Sequence, residues 1–249
     1  MVALEADRVR LSYGQIHAVD GVSLTVPRGD RLGLIGPNGA GKSTLLGLLS
    51  GRKRATSGTI RFDGSDVTRR PVHLRARVGV VQTFQTASLF DKLSVLDNVR
   101  LAVQRRMSVA ASPWPRRSVS RRIDQEALEV LDLVGVACKG SSVARELSHG
   151  DRRQLEVAVS LASRPAVLLL DEPSAGMSQS ETRGFVEMIL RLPAEMSLVI
   201  VEHDLDVVFE LSTRLAVLDA GRLIACGAPD EVRALPSVRA AYLGEPNEP

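Results

Sequence analysis

The chain has 249 residues, of which 44% are hydrophobic and 24% charged, a balance that excludes a disordered or collagen-like chain and allows a full core. The net charge of +3 hides 29 acids interspersed among 32 basic residues, and with aromatics at 3% nucleic acid is not an expected partner. Two cysteines, Cys138 and Cys226, exclude a disulfide framework and, without clustered histidines, a structural zinc site.

Met1 to Arg8 carries acids where a signal peptide would have its apolar core, and no apolar run approaches the roughly 18 residues that cross a bilayer. The expectation is a soluble, cytosolic chain. Val9–Tyr13 and Val22–Val26 alternate apolar and polar residues, the pattern of half-buried antiparallel strands. Arg31–Ile35 is a short apolar run entering a glycine-rich turn. Ser43–Leu49 then has leucines at helical spacing and stops at Gly51, a natural C-cap. Thr59–Phe62 runs into Asp63-Gly64, a hairpin turn.

From about Leu93 to Ser163 the pattern turns helical, with Leu96, Val99, Leu101 and Val103, then Ala127, Leu128, Leu131 and Leu133. Between them, Arg105 to Arg122 carries six arginines, Pro113, Trp114, Pro115 and no acid. It reads as a solvated loop, with a basic contact for a partner or lipid surface as the alternative.

The last third alternates Val167–Leu170, Glu181–Leu192, Leu198–Val201, Leu205–Leu211 and Leu215–Leu218. Apolar runs buried on both faces and separated by amphipathic helices predict a parallel sheet with right-handed crossovers. The expected fold is therefore α/β: a parallel-sheet core, an antiparallel N-terminal β subdomain and a helical insertion over approximately residues 88–163.

Gly36, Pro37, Asn38, Gly39, Ala40, Gly41, Lys42, Ser43 and Thr44 match GxxxxGK[ST], after a strand and before a helix as that phosphate-binding motif requires. Its glycines let successive N–H groups converge on phosphate oxygens while the helix N-terminus adds positive partial charge. Lys42 would reach the β- and γ-phosphates and Ser43 would ligate Mg²⁺. Asp171-Glu172 ends a buried strand on the edge where parallel sheets bind ligands. There Asp171 would hold the metal through water, and Glu172 would polarise the attacking water as general base.

With these motifs and Leu147-Ser148-His149-Gly150-Asp151 just ahead of the acidic strand, the sequence resembles the nucleotide-binding subunits of ABC transporters over approximately residues 4–244. The resemblance implies a single ABC ATPase domain with a C-terminal extension over approximately 220–249. It implies that Ser148 and Gly150 contact the γ-phosphate of ATP on the opposite subunit. His149 and Asp151 depart from the family's LSGGQ, and a carboxylate in a helix's first turn repels phosphate. Ser148-x-x-Asp151 is also simply a helix-capping pattern. Tyr13 is similar to the aromatic that stacks on adenine, and Gln85 to the glutamine that senses Mg²⁺ and the membrane partner, with Gln82 as its rival. Ser174–Met177 stands where a loop crosses the dimer interface, and His203 resembles the switch histidine on the γ-phosphate.

Thr83-Phe84-Gln85, the basic insertion, Leu155-Glu156, Glu202-His203-Asp204 and Ala241-Tyr-Leu-Gly244 resemble the ATPases of branched-chain amino acid importers. Related subgroups serve urea and short-amide import and lipopolysaccharide export. The implied cofactors are ATP and Mg²⁺. The implied partners are a second ATP-binding subunit, identical or paralogous, the transmembrane permease subunits and, indirectly, an extracytoplasmic binding protein. The implied location is the cytoplasmic face of the membrane. A soluble ABC ATPase of translation or repair would need a second nucleotide domain or a long coiled coil, and a nucleotide-gated regulatory module would not need Glu172 and His203 together.

Overall fold

A computed structural model describes residues 1–83, 89–108, 117–236 and 238. Its elements, in chain order, are β1 (Val2–Tyr13), β2 (Ile16–Pro27), β3 (Arg31–Ile35), α1 (Lys42–Ser50), β4 (Ser57–Phe62), β5 (Ser65–Asp66), α2 (Val72–Val78) and β6 (Val80–Gln82). There follow α3 (Val95–Arg106), α4 (Arg117–Leu133), α5 (His149–Leu161), β7 (Val167–Asp171), α6 (Gln179–Leu190), β8 (Ser197–Val201), α7 (Leu205–Leu211), β9 (Arg214–Asp219), β10 (Arg222–Gly227) and α8 (Pro229–Ala234). The chain forms two compact units. One combines Met1–Gln82, Ala166–Glu172 and the chain from Ala194 onward; the other combines Thr83–Pro165 with Pro173–Pro193.

The first unit contains both sheets. A four-stranded antiparallel sheet has the order β2-β1-β4-β5, and a six-stranded sheet the order β10-β9-β3-β8-β7-β6. In the larger sheet β6, β7, β8, β3 and β9 are mutually parallel, and β10 adds an antiparallel edge. The uniformly apolar runs explain this: every residue of β7 and β8 is buried, as strands covered on both faces must be. β1 and β2 extend beyond the alternating pentapeptides to 12 residues each, and their burial alternates along most of that length. Asp63 and Gly64, at φ 46° and 75°, turn the chain between β4 and β5, both positive as a type I′ hairpin demands.

The core of this unit forms around α1. Leu45, Leu46, Leu48 and Leu49 are at most 1% exposed and share one cluster with residues of both sheets. Each contributes on the order of 2 kcal/mol by leaving water. Gly51 ends the helix in the left-handed region at φ 83°, donating its N–H to the Leu48 carbonyl.

The second unit is helical. Val95, Val99 and Val103 bury one face of α3, and Ile123, Ala127 and Leu131 one face of α4. Here the expected stripe is corrected: Leu101 and Leu128 are 38% and 46% exposed, because the four-residue steps of the true stripes leave them on the outer faces. The arginine-rich segment is not one loop. Arg105 and Arg106 end α3, Arg117 to Arg122 open α4, and residues 109–116, with Trp114, lie outside the described residues. Arg106, Arg122 and Arg164 converge on the buried carboxylate of Glu126. Helix α6, read from the sequence as part of the strand–helix alternation, belongs to this unit.

Candidate nucleotide site

The strand β3 delivers the chain into the glycine-rich loop, and the loop turns directly into α1. Gly41 sits at φ 99°, and a Cβ there would lie 2.3 Å from the carbonyl oxygen of Ala18, so no other residue fits. The N-terminus of α1 has no side-chain cap and no acid in its first turn. Its orphan N–H groups and positive helix end therefore remain free to receive an anion. Lys42 is only 5% exposed and donates to the carbonyl oxygens of Gly36 at 2.7 Å and Pro37 at 2.9 Å. Burial pulls its pKa below the usual lysine range, against the opposing pull of Glu172 and Asp171. The Ser43 hydroxyl donates to Asp171 Oδ1 at 3.3 Å.

Asp171 closes β7 and is 6% exposed. Burial pushes its carboxyl above the usual aspartate range and the neighbouring Glu172 pushes the same way, while the Ser43 hydroxyl opposes them. Glu172 then leaves the strand in the left-handed region at φ 46°, its N–H donating to the Val201 carbonyl at 2.8 Å. A non-glycine residue held there costs about 1–3 kcal/mol, a strain typical of functional positions. Glu172 Oε1 lies 2.8 Å from Nε2 of His203, which follows β8. Lys42, Ser43, Asp171, Glu172 and His203 thus meet at the C-terminal edge of the parallel strands, within the first unit.

A hydroxyl and a buried carboxylate are hard oxygen donors. No group of three or more His, Cys, Asp or Glu able to hold a metal occurs among the described residues. The set present matches Mg²⁺, which binds through one or two protein oxygens and completes its shell with water and phosphate.

Tyr13 ends β1 half exposed, and Lys53 Nζ donates to its hydroxyl at 3.1 Å. Lys53 was not singled out in the sequence, although lysine's scarcity in this chain offered a signal. Gln85 lies outside the described residues. Its rival Gln82 ends β6, with a buried Oε1 that has no hydrogen-bond partner among the described residues.

In the second unit, Ser148 caps α5: its Oγ accepts from the Asp151 N–H at 3.2 Å and donates to Asp151 Oδ2 at 2.7 Å. The Asp151 carboxylate, which the sequence places in this first turn, is itself paired. Lys139 pairs with it, and although burial works to raise its pKa, the Lys139 and Ser148 hydrogen bonds bring it below the ordinary value. His149 Nε2 lies 3.1 Å from the Ala175 carbonyl oxygen, in the Ser174–Met177 loop. The Gly150 N–H donates to Glu181 Oε1 at 3.0 Å. Glu181 escaped the sequence reading, yet Ser178-x-x-Glu181 is a capping-box spacing, and the structure forms that box at the start of α6.

A family model described as ABC transporter matches residues 19–175, and one described as Branched-chain amino acid ATP-binding cassette transporter matches residues 222–247. The chain is 35% identical over 249 residues to the high-affinity branched-chain amino acid transport ATP-binding protein BraF of Pseudomonas aeruginosa, covering 97% of this chain and 98% of that protein. It is 34% identical over 250 residues to the corresponding LivG protein of Escherichia coli, with the same coverage. Among solved structures, a nucleotide-free ATP-binding cassette from an ABC transporter superposes with a TM-score of 0.84 at 29% identity, covering 98% of this chain and all of that one. The ADP conformation of such a cassette gives 0.85 at 30% identity and covers 98% of this chain and 100% of that one. With a phosphate loop, an acidic strand end and a histidine gathered on one sheet edge, and with likeness running along nearly its whole length, the chain belongs to the ABC transporter family as an ATP-hydrolysing cassette.

Proposed function

We propose that this ATPase powers an importer of branched-chain or other hydrophobic amino acids, acting at the cytoplasmic face of the membrane through permease subunits. The functions named for BraF and LivG support the substrate class, since both relatives align over almost their full lengths. The observation that carries the site assignment is the gathering of Lys42, Ser43, Asp171, Glu172 and His203 on one sheet edge.

In this reading the loop from Gly36 to Thr44 holds the phosphates, with Lys42 exchanging its two carbonyl acceptors for phosphate oxygens. Tyr13 stacks on adenine. Ser43 and Asp171, together with Gln85, would hold Mg²⁺, which would supply charge neutralisation for the phosphates. Burial raises the Asp171 pKa, so its carboxylate gains from a cation. Glu172 polarises the attacking water, and His203 holds the carboxylate and reaches the γ-phosphate. Ser148 and Gly150 contact the nucleotide of a second ATP-binding subunit, so that two ATP molecules join two such domains. Closure of that dimer drives the permease, and an extracytoplasmic binding protein selects the cargo.

Calorimetry on the Lys42→Ala variant tests the phosphate loop: ATP binding is lost, and unchanged affinity overturns the assignment. Reconstitution with the permease and binding protein tests the cargo. ATP hydrolysis rises when the binding protein carries leucine, isoleucine or valine; stimulation by urea or acetamide alone would reassign the substrate.

A further inference from the structure

The first turn of α5 already holds an anion, and the anion is its own chain's. The helix is 13 residues long, so its N-terminus concentrates positive partial charge. Glu181 Oε1 accepts from the Gly150 N–H at 3.0 Å, while Glu181 Oε2 accepts from the Ser178 N–H at 3.0 Å and from the Ser178 hydroxyl at 2.8 Å. One carboxylate therefore bridges the starts of α5 and α6. Gly150 permits the approach: a Cβ there would meet Glu181 Oε1 at 2.9 Å and its Cγ at 3.0 Å. The hydrogen bonds to Ser178 and Gly150 hold the Glu181 pKa down at about 2, so the group is charged at any physiological pH.

We propose that Glu181 is an intramolecular stand-in for phosphate, occupying the Gly150 amide until a partner subunit's nucleotide displaces it. The inference rests on the reading above in which Ser148 and Gly150 contact the γ-phosphate. A single N–H cannot donate fully to two anions, and a carboxylate and a phosphate oxygen repel each other at this range. Dimer closure therefore requires the Glu181 side chain to swing away, and reopening is assisted by its return. Ser148 is held in the same manner by Asp151, whose charge Lys139 compensates. Glu181 has no lysine or arginine in hydrogen-bonding reach among the described residues, and His149 acts on it only through space, so its charge is less compensated than that of Asp151.

The test uses Glu181→Gln, which removes the charge, Glu181→Asp, which keeps charge and cap but withdraws the carboxylate by one methylene, and Ser178→Ala, which removes the cap and leaves the carboxylate. Without nucleotide, the Gly150 amide exchanges its hydrogen several-fold faster in Glu181→Asp than in the wild type. In the complete assembly with its partner ATPase and permease, the ATP concentration for half-maximal hydrolysis falls on the order of tenfold in Glu181→Gln, as removal of a like charge at a half-hydrated surface predicts. Ser178→Ala, which keeps the charge and only loosens its anchor, lowers that concentration by clearly less than Glu181→Gln does. Unaltered Gly150 exchange in Glu181→Asp, an unchanged or raised half-saturation in Glu181→Gln, or an equal shift in Ser178→Ala each overturns the proposal. An assembly whose half-saturation by ATP is unmoved by Ser148→Ala would instead remove the underlying contact reading, and this proposal with it.

Discussion

Arg75 is fully buried, and its replacement should be among the most destabilising single changes in the chain. Its Nη1 donates to the carbonyl oxygens of Leu48 at 2.6 Å and Leu49 at 2.7 Å, the last turn of α1. Nε and Nη2 reach the carbonyls of Arg70 and Thr68, both at 2.9 Å. Burial pulls the guanidinium's pKa down to about 10, which leaves it charged at neutral pH. Hydrogen bonds from a charged donor contribute roughly 1.5–3 kcal/mol each, and an orphaned buried carbonyl costs about 1–3 kcal/mol. Leu48 keeps the Gly51 N–H at 3.3 Å, and a methionine at position 75 recovers part of the packing. The net loss for Arg75→Met is then about 3–5 kcal/mol, measured as the shift in urea unfolding followed by circular dichroism. Arg75→Lys, with one compact ammonium in place of a fork, falls between the wild type and Arg75→Met. A loss below about 1 kcal/mol for Arg75→Met would refute the claim that these four carbonyls depend on one guanidinium.

Three further outcomes are expected. Glu172→Gln retains ATP binding but releases phosphate about 10²–10⁴-fold more slowly; rapid turnover would remove Glu172 from the base role. Gly41→Ala, with its Cβ driven to 2.3 Å from the Ala18 oxygen, abolishes ATP binding in calorimetry, and retained affinity would show that the loop can shift without loss. Glu181 has a folded pKa of about 2 against an ordinary 4.5, so its contribution to stability is full above the higher value and is lost as pH falls toward the lower. The stability gap between wild type and Glu181→Gln therefore closes over that interval in urea denaturation at stepped pH, and a gap that stays constant would contradict the hydrogen bonds assigned to the carboxylate.

The phosphate loop was legible because its chemistry is local: strand, glycines, lysine and helix follow one another, and β3 and α1 form where the pattern places them. Asp171 and Glu172 were legible for a related reason, as acids at the end of a run too apolar to be anything but a doubly covered strand. Arg75 was not. It lies in α2, whose Leu74 and Val78 are 36% and 37% exposed while the arginine points inward, so hydropathy reads the helix inside out. The carbonyls of α1, distant in sequence, together with those of Thr68 and Arg70 explain the inversion. Lys53 beside Tyr13, Lys139 beside Asp151 and Glu181 on Gly150 share this property, each being chosen by a partner that spacing does not reveal. The outer placement of Leu101 and Leu128 has a different cause: helix phase is set by which stripe finds a neighbour, and several leucine-containing stripes were available.

Two helix starts in this chain resolve the same electrostatic choice in opposite ways. An acid or a capping hydroxyl in the first turn stabilises a helix by roughly 0.3–1 kcal/mol, and α1 forgoes both. It begins instead with a glycine and a buried lysine, an arrangement that makes sense only if an external anion supplies the missing charge. The α5 turn takes the opposite course, with Ser148, Asp151 and Glu181 all engaged. On the proposed role of Ser148 and Gly150, an incoming phosphate would gain the full strength of new hydrogen bonds at α1, but at α5 only the difference between its own bonds and those of the carboxylate it displaces. The second contact is therefore the weaker and the more readily reversed. If, as proposed, that contact is made and broken at every turnover, a competing carboxylate shifts the balance toward its opening without weakening the grip on nucleotide at the loop.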